Sequence, residues 1–306
     1  MSTTKHVLKA MNYPLISIVT PSYNQANYIE QTILSVLGQQ YQNLEYIIID
    51  GNSNDGSADI IQKYSNQLTY WVSENDNGQS HAINKGFSRA KGSVLMWLNS
   101  DDLLLPGALH YIANTIKTEG EGIYFGNCIH FREKQAGLDA WGSDVVFASQ
   151  QHTLYDIDFI IQPSSFWSRS VYEKTGPLSE NLHFGFDWEW FLKAKTNGIK
   201  ITAINKCLSM YRFHDDHKSG TGGRKRQEEL LTIYKKYNPK GAVLFELLMN
   251  QDKNWNKVEI YKARGIKKIY SLTNRPLSQG KILKIVKPAT YRQFTEKEIN
   301  GIYYML

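Results

Sequence analysis

What most constrains the fold of this chain is a repeated alternation of short, unbroken apolar runs with segments of helical period. Leu15-Ile16-Ser17-Ile18-Val19 stops at Thr20-Pro21-Ser22, and Ile29, Ile33, Val36 and Leu37 then recur at the spacing of one helix face. Tyr46-Ile47-Ile48-Ile49 ends at Asp50, and after the polar turn 51–56 a helix is expected from Ser57, read as its N-cap, with Ile60, Ile61 and Tyr64 inward. Residues 68–72 give a third short strand. A helix from about Ser80 carries Ala82, Ile83 and Phe87 and is expected to end at Gly92; residues 94–98 then return as a strand closed by Asn99-Ser100-Asp101-Asp102. Strands alternating with helices predict an α/β fold, Rossmann-like, with a mainly parallel sheet flanked by helices. Ligands of such a sheet sit at its carboxyl edge, so residues 20–24, 50–56 and 99–102 are expected side by side.

After Pro106 the pattern is mixed. Residues 109–116 and 188–194 read as helix, 123–131 and 201–212 as strand, and 140–157 show no clear period. The chain has 306 residues, enough for a sizeable core, and its 42% apolar and 21% charged residues exclude collagen-like, disordered and coiled-coil readings. Two cysteines, Cys128 and Cys207, are too few for a disulfide framework or a cysteine zinc site. Residues 1–11 lack the apolar stretch of a signal peptide, and the strongest apolar run, 242–249, is interrupted by Glu246. The expectation is a cytoplasmic protein, peripheral on the cytoplasmic face of the membrane.

The net charge of +6 is unevenly spread. Residues 1–220 hold 17 Lys and Arg against 22 Asp and Glu, a net −5, whereas residues 221–306 hold 18 against 7, a net +11. The Gly-, Ser- and Thr-rich stretch 218–223 coincides with that break. Three regions are therefore expected: an N-terminal extension over 1–14, a catalytic unit over 15–220 and a basic, mainly helical region over 221–306.

Taken singly, the polar clusters are ambiguous. Asp101-Asp102 follows a buried strand and fits either a turn acid or a site for a hard cation such as Mg²⁺ or Mn²⁺. Asp50 fits either an Asx-turn or a ligand contact. Asp187, among Phe186, Trp188 and Trp190, fits either a charge favourable to a helix N-terminus or a carboxylate base in a partly apolar pocket. His214-Asp215-Asp216-His217 reads as a solvated loop or as metal ligands. The turn 51–56 matches neither the P-loop nor the dinucleotide fingerprint, which disfavours an ATPase or a nicotinamide enzyme.

In combination the order of these clusters resembles glycosyltransferase family 2, the inverting sugar transferases with the GT-A fold, over residues 15–219. Four features carry the resemblance: Ile18-Val19-Thr20-Pro21-Ser22-Tyr23-Asn24; Asp50-Gly51-Asn52-Ser53-Asn54-Asp55-Gly56-Ser57; Asp76-Asn77-Gly78 with Ala82-Ile83-Asn84-Lys85-Gly86; and Trp97-Leu98-Asn99-Ser100-Asp101-Asp102. The resemblance implies that Thr20, Pro21 and Tyr23 line a nucleotide pocket and that Asp50 accepts a hydrogen bond from the base. Asp76, Asn84, Asn99 and Ser100 would lie near the nucleotide sugar. Asp101, with Asp102 and His214, would hold the divalent metal, Mn²⁺ or Mg²⁺, on the diphosphate. Asp187 matches the family's acidic motif as the base, although the acid that usually precedes it is Phe186 here, and His217 has no counterpart.

One departure bears on the metal: Asn99 stands where the family's D-x-D pattern has its first acid, and an amide brings no charge to a cation. This feature keeps open an alternative, a non-catalytic nucleotide- or glycan-binding module on the same fold. The expected partners are a nucleotide-sugar donor and a saccharide or lipid-linked saccharide acceptor. The lysine and aliphatic mixtures at 266–270 and 281–287 suit an anionic membrane surface or a helical appendage packed on the catalytic unit. No nucleic acid is expected, because the acidic body offers no second basic face.

Overall fold

Within the unbroken apolar runs, successive side chains face opposite sides of one sheet. The computed structural model describes residues 13–134, 137–214, 218, 222–250, 257–272 and 277–306. Strands β1 (Ile16–Ser22), β2 (Leu44–Asp50), β3 (Tyr70–Ser73) and β4 (Val94–Trp97) are joined by helices α1 (Ile29–Leu37), α2 (Ser57–Lys63) and α3 (Gln79–Arg89). Ile47, Ile49, Leu95 and Trp97 enter a core on one side, and Tyr46, Ile48, Val94 and Met96 a second core on the other. Two buried faces are the condition under which a strand carries no polar alternation.

The sheet continues through β5 (Leu103–Leu104), β6 (Ile123–Lys134), β7 (Gly137–Gly142), β8 (Ser165–Ser168) and β9 (Ile201–Arg212), interspersed with α4 (Ala108–Glu119), α5 (Val145–Gln151), α6 (Arg169–Thr175) and α7 (Phe186–Thr196). Its order is β3-β2-β1-β4-β8-β6-β9-β5, with β7 paired to β6. Following the pairings outward from β1, six of the nine strands run in one sense and β5, β7 and β8 run against them, so the sheet is mainly parallel as expected. The carboxyl ends of β1, β2, β3, β4 and β9 therefore share one edge.

Several boundaries differ from expectation. Gly56, at φ 96°, caps α2 and Ser57 is its first residue, because Asp55 accepts from both the Ser57 backbone N–H at 3.0 Å and its hydroxyl at 2.6 Å. The third strand starts at Tyr70 rather than 68, because a short 3₁₀ turn, Ser65–Gln67, uses up the intervening residues. Helix α3 stops at Arg89, three residues before Gly92.

Helices α8 (Gly223–Tyr237), α9 (Pro239–Met249), α10 (Lys257–Leu272), α11 (Gln279–Val286), α12 (Pro288–Tyr291) and α13 (Glu296–Tyr304) follow among the described residues. Leu230, Tyr234, Phe245, Leu283, Ile299, Ile302 and Met305 share one buried cluster with Val19, Trp97 and Phe191 of the sheet side. The basic region thus packs against the sheet side, and part of its aliphatic content is used within the region itself: Ile282 and Val286 of α11 meet Ala263 and Ile266 of α10. Of the sequence break at 218–223, residues 219–221 lie outside the described residues.

Helix α3 seats on β1 through Gly86, where a Cβ would run into the Val19 side chain. The substitution Gly86→Ala is expected to cost about 1 to 3 kcal/mol through overpacking. Chemical denaturation measures this; an unchanged midpoint would mean that the helix is not held so close.

Candidate active site

A cleft of about 920 Å³ opens along the shared carboxyl edge. Pro21, Ser22 and Tyr23 line it from the end of β1, Gly51 from β2, Asp76 and Gln79 from the entry to α3, and Asn99, Ser100, Asp101 and Asp102 from the turn after β4. Gly51 permits this convergence, since a Cβ there would lie 2.8 Å from an Asp76 carboxylate oxygen and 3.3 Å from the Tyr23 ring. Tyr23 is 63% exposed and forms a lip of the cleft.

Most of the polar residues in the turn after β2 hold loops together. Asp50 is fully buried, and its carboxylate accepts from the Ser22 hydroxyl at 2.9 Å, the Ser53 N–H at 2.9 Å and hydroxyl at 2.6 Å, and the Ser73 hydroxyl at 2.6 Å. Ser53, Ser57 and Asp55 in turn accept from the backbone N–H groups of Asn24, Gln25 and Ala26 at 2.8, 2.8 and 2.9 Å. The loops after β1 and β2 are stitched into one wall. Asp50 itself is not among the residues that line the cleft.

The turn after β4 is fixed from both sides. The Thr32 hydroxyl lies 2.9 and 2.8 Å from the Ser100 and Asp102 carbonyls, and Arg212 Nε donates to the Asp101 carbonyl at 3.1 Å. Asp102 faces inward, where it accepts from the Arg212 N–H at 3.2 Å; burial, together with the neighbouring Asp101 charge, holds its carboxyl well above the usual range. Asp101 instead meets His214 Nε2 at 3.0 Å. Asp101 and His214 suit a hard cation that takes its remaining ligands from phosphate oxygens and water. Among the described residues no group of three or more His, Cys, Asp or Glu side chains is placed to hold a metal ion, and Asp102 Oδ1 is taken up by the Arg212 N–H.

Asn99 is oriented by neighbours. Its carbonyl oxygen accepts from Gln79 Nε2 at 2.8 Å, and its amide nitrogen lies 3.4 Å from both Asp102 and Gln162. Opposite this turn, Asp187 in the first turn of α7 accepts its Oδ1 hydrogen bond from the Trp188 N–H at 2.8 Å. Burial raises its carboxyl above the usual range, against the opposing pull of that hydrogen bond and of the Lys218 and Arg226 charges. Asp158 lines the same wall and is raised further, by burial and by the Asp187 charge. The two acids titrate as a pair.

The structure therefore brings Pro21, Tyr23, Asp76, Asn99, Ser100, Asp101 and Asp187 to one cleft, with His214 behind Asp101. It does not bring Thr20 or Asn84 there. Thr20 is fully buried with its hydroxyl 3.1 Å from the Tyr46 hydroxyl, and Asn84 pins the Leu178 backbone through both amide atoms at 3.0 Å. His217, Asp215 and Asp216 lie outside the described residues. Gln79, His130, Asp158, His183, Lys218 and Tyr304 line the cleft without having been found from sequence. Asp158 directly follows the stretch without period, and nothing local distinguishes the others from surface residues.

A cleft lined by Asp101 and Asp187 at the carboxyl edge of a mainly parallel sheet matches the GT-A fold of known glycosyltransferases. The chain belongs to glycosyltransferase family 2, whose model matches residues 17–186. It is 27% identical over 294 residues to the GalNAc(5)-diNAcBac-PP-undecaprenol beta-1,3-glucosyltransferase of Campylobacter jejuni, covering 90% of this chain and 91% of the relative. In fold it is similar to S. aureus TarS 1-349 in complex with UDP-GlcNAc, at TM-score 0.59 and 16% identity over 95% of this chain and 90% of that one. The mannosyltransferase PcManGT from Pyrobaculum calidifontis, in complex with GDP-Man and Mn²⁺, is similar at TM-score 0.58 and 16% identity, covering 96% of this chain and 86% of that one.

If Asp50 works by holding the loops, Asp50→Ala should lower stability by about 2 to 4 kcal/mol, because it orphans several buried donors. Thermal and urea unfolding measure this. A variant of native stability that had lost only nucleotide affinity would return Asp50 to the base pocket.

Proposed function

We propose that this protein is an inverting glycosyltransferase that moves a sugar from a nucleotide-diphosphate sugar, first among them a UDP-sugar, to an acceptor hydroxyl in surface polysaccharide or glycolipid synthesis. The observation that carries the reading is Asp187, a half-buried carboxylate opening onto the cleft that also holds Asp101. Asp187 takes the proton from the acceptor hydroxyl as that oxygen attacks the anomeric carbon. The bond from that carbon to the diphosphate oxygen breaks, and its electron pair leaves with the diphosphate. A single displacement of this kind inverts the configuration at carbon. Asp101 and His214 are the residues that would hold Mn²⁺ or Mg²⁺, and a cation there would neutralise charge on the departing diphosphate. The names of the relatives support a nucleotide-sugar donor and a lipid-linked saccharide acceptor.

No helix among the described residues is long and apolar enough to cross a membrane. We place the reaction at the cytoplasmic face, with the basic region meeting anionic headgroups. Exposed Val258 and Tyr261 on α10, and Ile285 on α11, beside the lysines of those helices, support this docking.

A panel of UDP-, GDP-, dTDP- and CMP-sugars, with and without Mn²⁺, should yield turnover with one of them; a response to none favours a non-catalytic binding module. With that donor, Asp187→Asn should bind nucleotide nearly as the parent does and lose turnover by about 10²-fold or more. Because burial raises the Asp187 carboxyl, its ionised form is lost at a higher pH than for an exposed acid. The acid limb of kcat/KM should accordingly lie above the ordinary carboxylate value of about 4. A limb at or below 4, or full turnover by Asp187→Asn, would remove Asp187 from the role of base. Replacing Lys262, Lys267 and Lys268 together by Gln should reduce co-sedimentation with anionic vesicles and leave neutral vesicles unaffected; equal pelleting would defeat the membrane reading.

A further inference from the structure

The corner of the cleft at Asn99 lacks the carboxylate that the family pattern places there, and a lysine more than a hundred residues away reaches the same corner. Asn99 Oδ1 is taken by Gln79 Nε2 at 2.8 Å, and Gln79 Oε1 accepts from Lys218 Nζ at 3.0 Å. The Gln79 amide thus turns its donor to Asn99 and its acceptor to the ammonium, which fixes the amide and links Asn99 through Gln79 to a cation. Lys218 also lies over the Phe186 ring, 5.2 Å from its centre, and lines the cleft with Asp187 and Asp101. Burial pulls its ammonium down to about 8, against the opposing charges of Asp187 and Glu229. A half-buried cation of this kind gains from meeting an anion in the cleft.

The donor's diphosphate is such an anion. On the reading above, its cation is held at Asp101, two residues from Asn99, so the diphosphate passes within reach of the ammonium that Gln79 holds next to Asn99. An acid at position 99 would act on the phosphates only through a metal, whereas a lysine contacts them directly. We propose that Lys218 is a donor-binding residue whose ammonium contacts the diphosphate of the nucleotide sugar and supplies, without metal, charge compensation that the neutral Asn99 does not bring. This inference rests on the donor reading above. It implies that the protein retains nucleotide affinity when divalent ions are removed.

Titration calorimetry on the full chain in EDTA tests it, with UDP, GDP and dTDP as probes and the corresponding nucleosides as controls. The preferred diphosphate should bind the parent without metal. Lys218→Ala should weaken that binding at least tenfold and leave the nucleoside unchanged, and Lys218→Arg should stay within about threefold of the parent because it keeps the charge. An unchanged diphosphate affinity in Lys218→Ala overturns the proposal. If the acid limb of the rate profile then moves, Lys218 serves Asp187 instead. Equal losses for diphosphate and nucleoside, in Lys218→Ala and Lys218→Arg alike, overturn it in favour of a purely structural role. Failure of the parent to bind any of the three diphosphates would overturn the donor reading itself, a result distinct from failure at Lys218 alone.

Discussion

The geometry of the site depends on one buried guanidinium. Arg212, at the end of β9, is 2% exposed, so the donors of its guanidinium need partners inside the protein. They find Glu133 on β6, Gln31 on α1 and the Asp101 carbonyl, while its plane lies near the rings of Tyr28 and Phe131. Its own backbone N–H goes to Asp102. One side chain thereby fastens the turn after β4 to the end of β9. His214, two residues further along, meets Asp101 because of that fastening.

The polar residues of the carboxyl edge divide by what they face. Asp50, Ser53, Asp55, Ser57 and Asn84 spend their hydrogen bonds on the protein, and the loops they join form the wall of the cleft. Asp76, Asn99, Asp101 and Asp187 line the cleft itself. Asp101 and Asp102 are adjacent in sequence and both reach the cleft wall, yet they take different partners. The turn between β4 and β5 points one toward His214 and folds the other under Arg212.

Legibility in the sequence followed from the same physics. Strands β1, β2 and β4 are continuous apolar runs because both their faces are buried, and a continuous run is easily seen. Strand β8, Ser165–Ser168, is equally buried but reads Ser-Phe-Trp-Ser, and β5 has only two residues, so neither shows a pattern. Strand β7 is exposed throughout and carries no apolar alternation to find. The site was half legible for a related reason. Residues that directly follow a legible strand could be placed at its edge, as Pro21, Asn99 and Asp101 were. Asp158 reaches the cleft from a loop, Tyr304 from α13 and Lys218 from beyond β9, and local sequence says nothing about where such segments return.

The charge division tells the same story at the scale of the whole chain. Sequence alone established an acidic part and a basic part, since charge is a sum over residues and needs no coordinates. It also determined the class of fold and the edge at which chemistry gathers, because strand burial and strand order are written in local apolar runs. Only the tertiary structure decided that the basic region packs into the core beside the sheet. It alone also decided that Asp50 faces the protein, and that a lysine stands beside Asn99. These are contacts between segments far apart in the chain, set by how buried donors and acceptors find partners, and no local pattern records them.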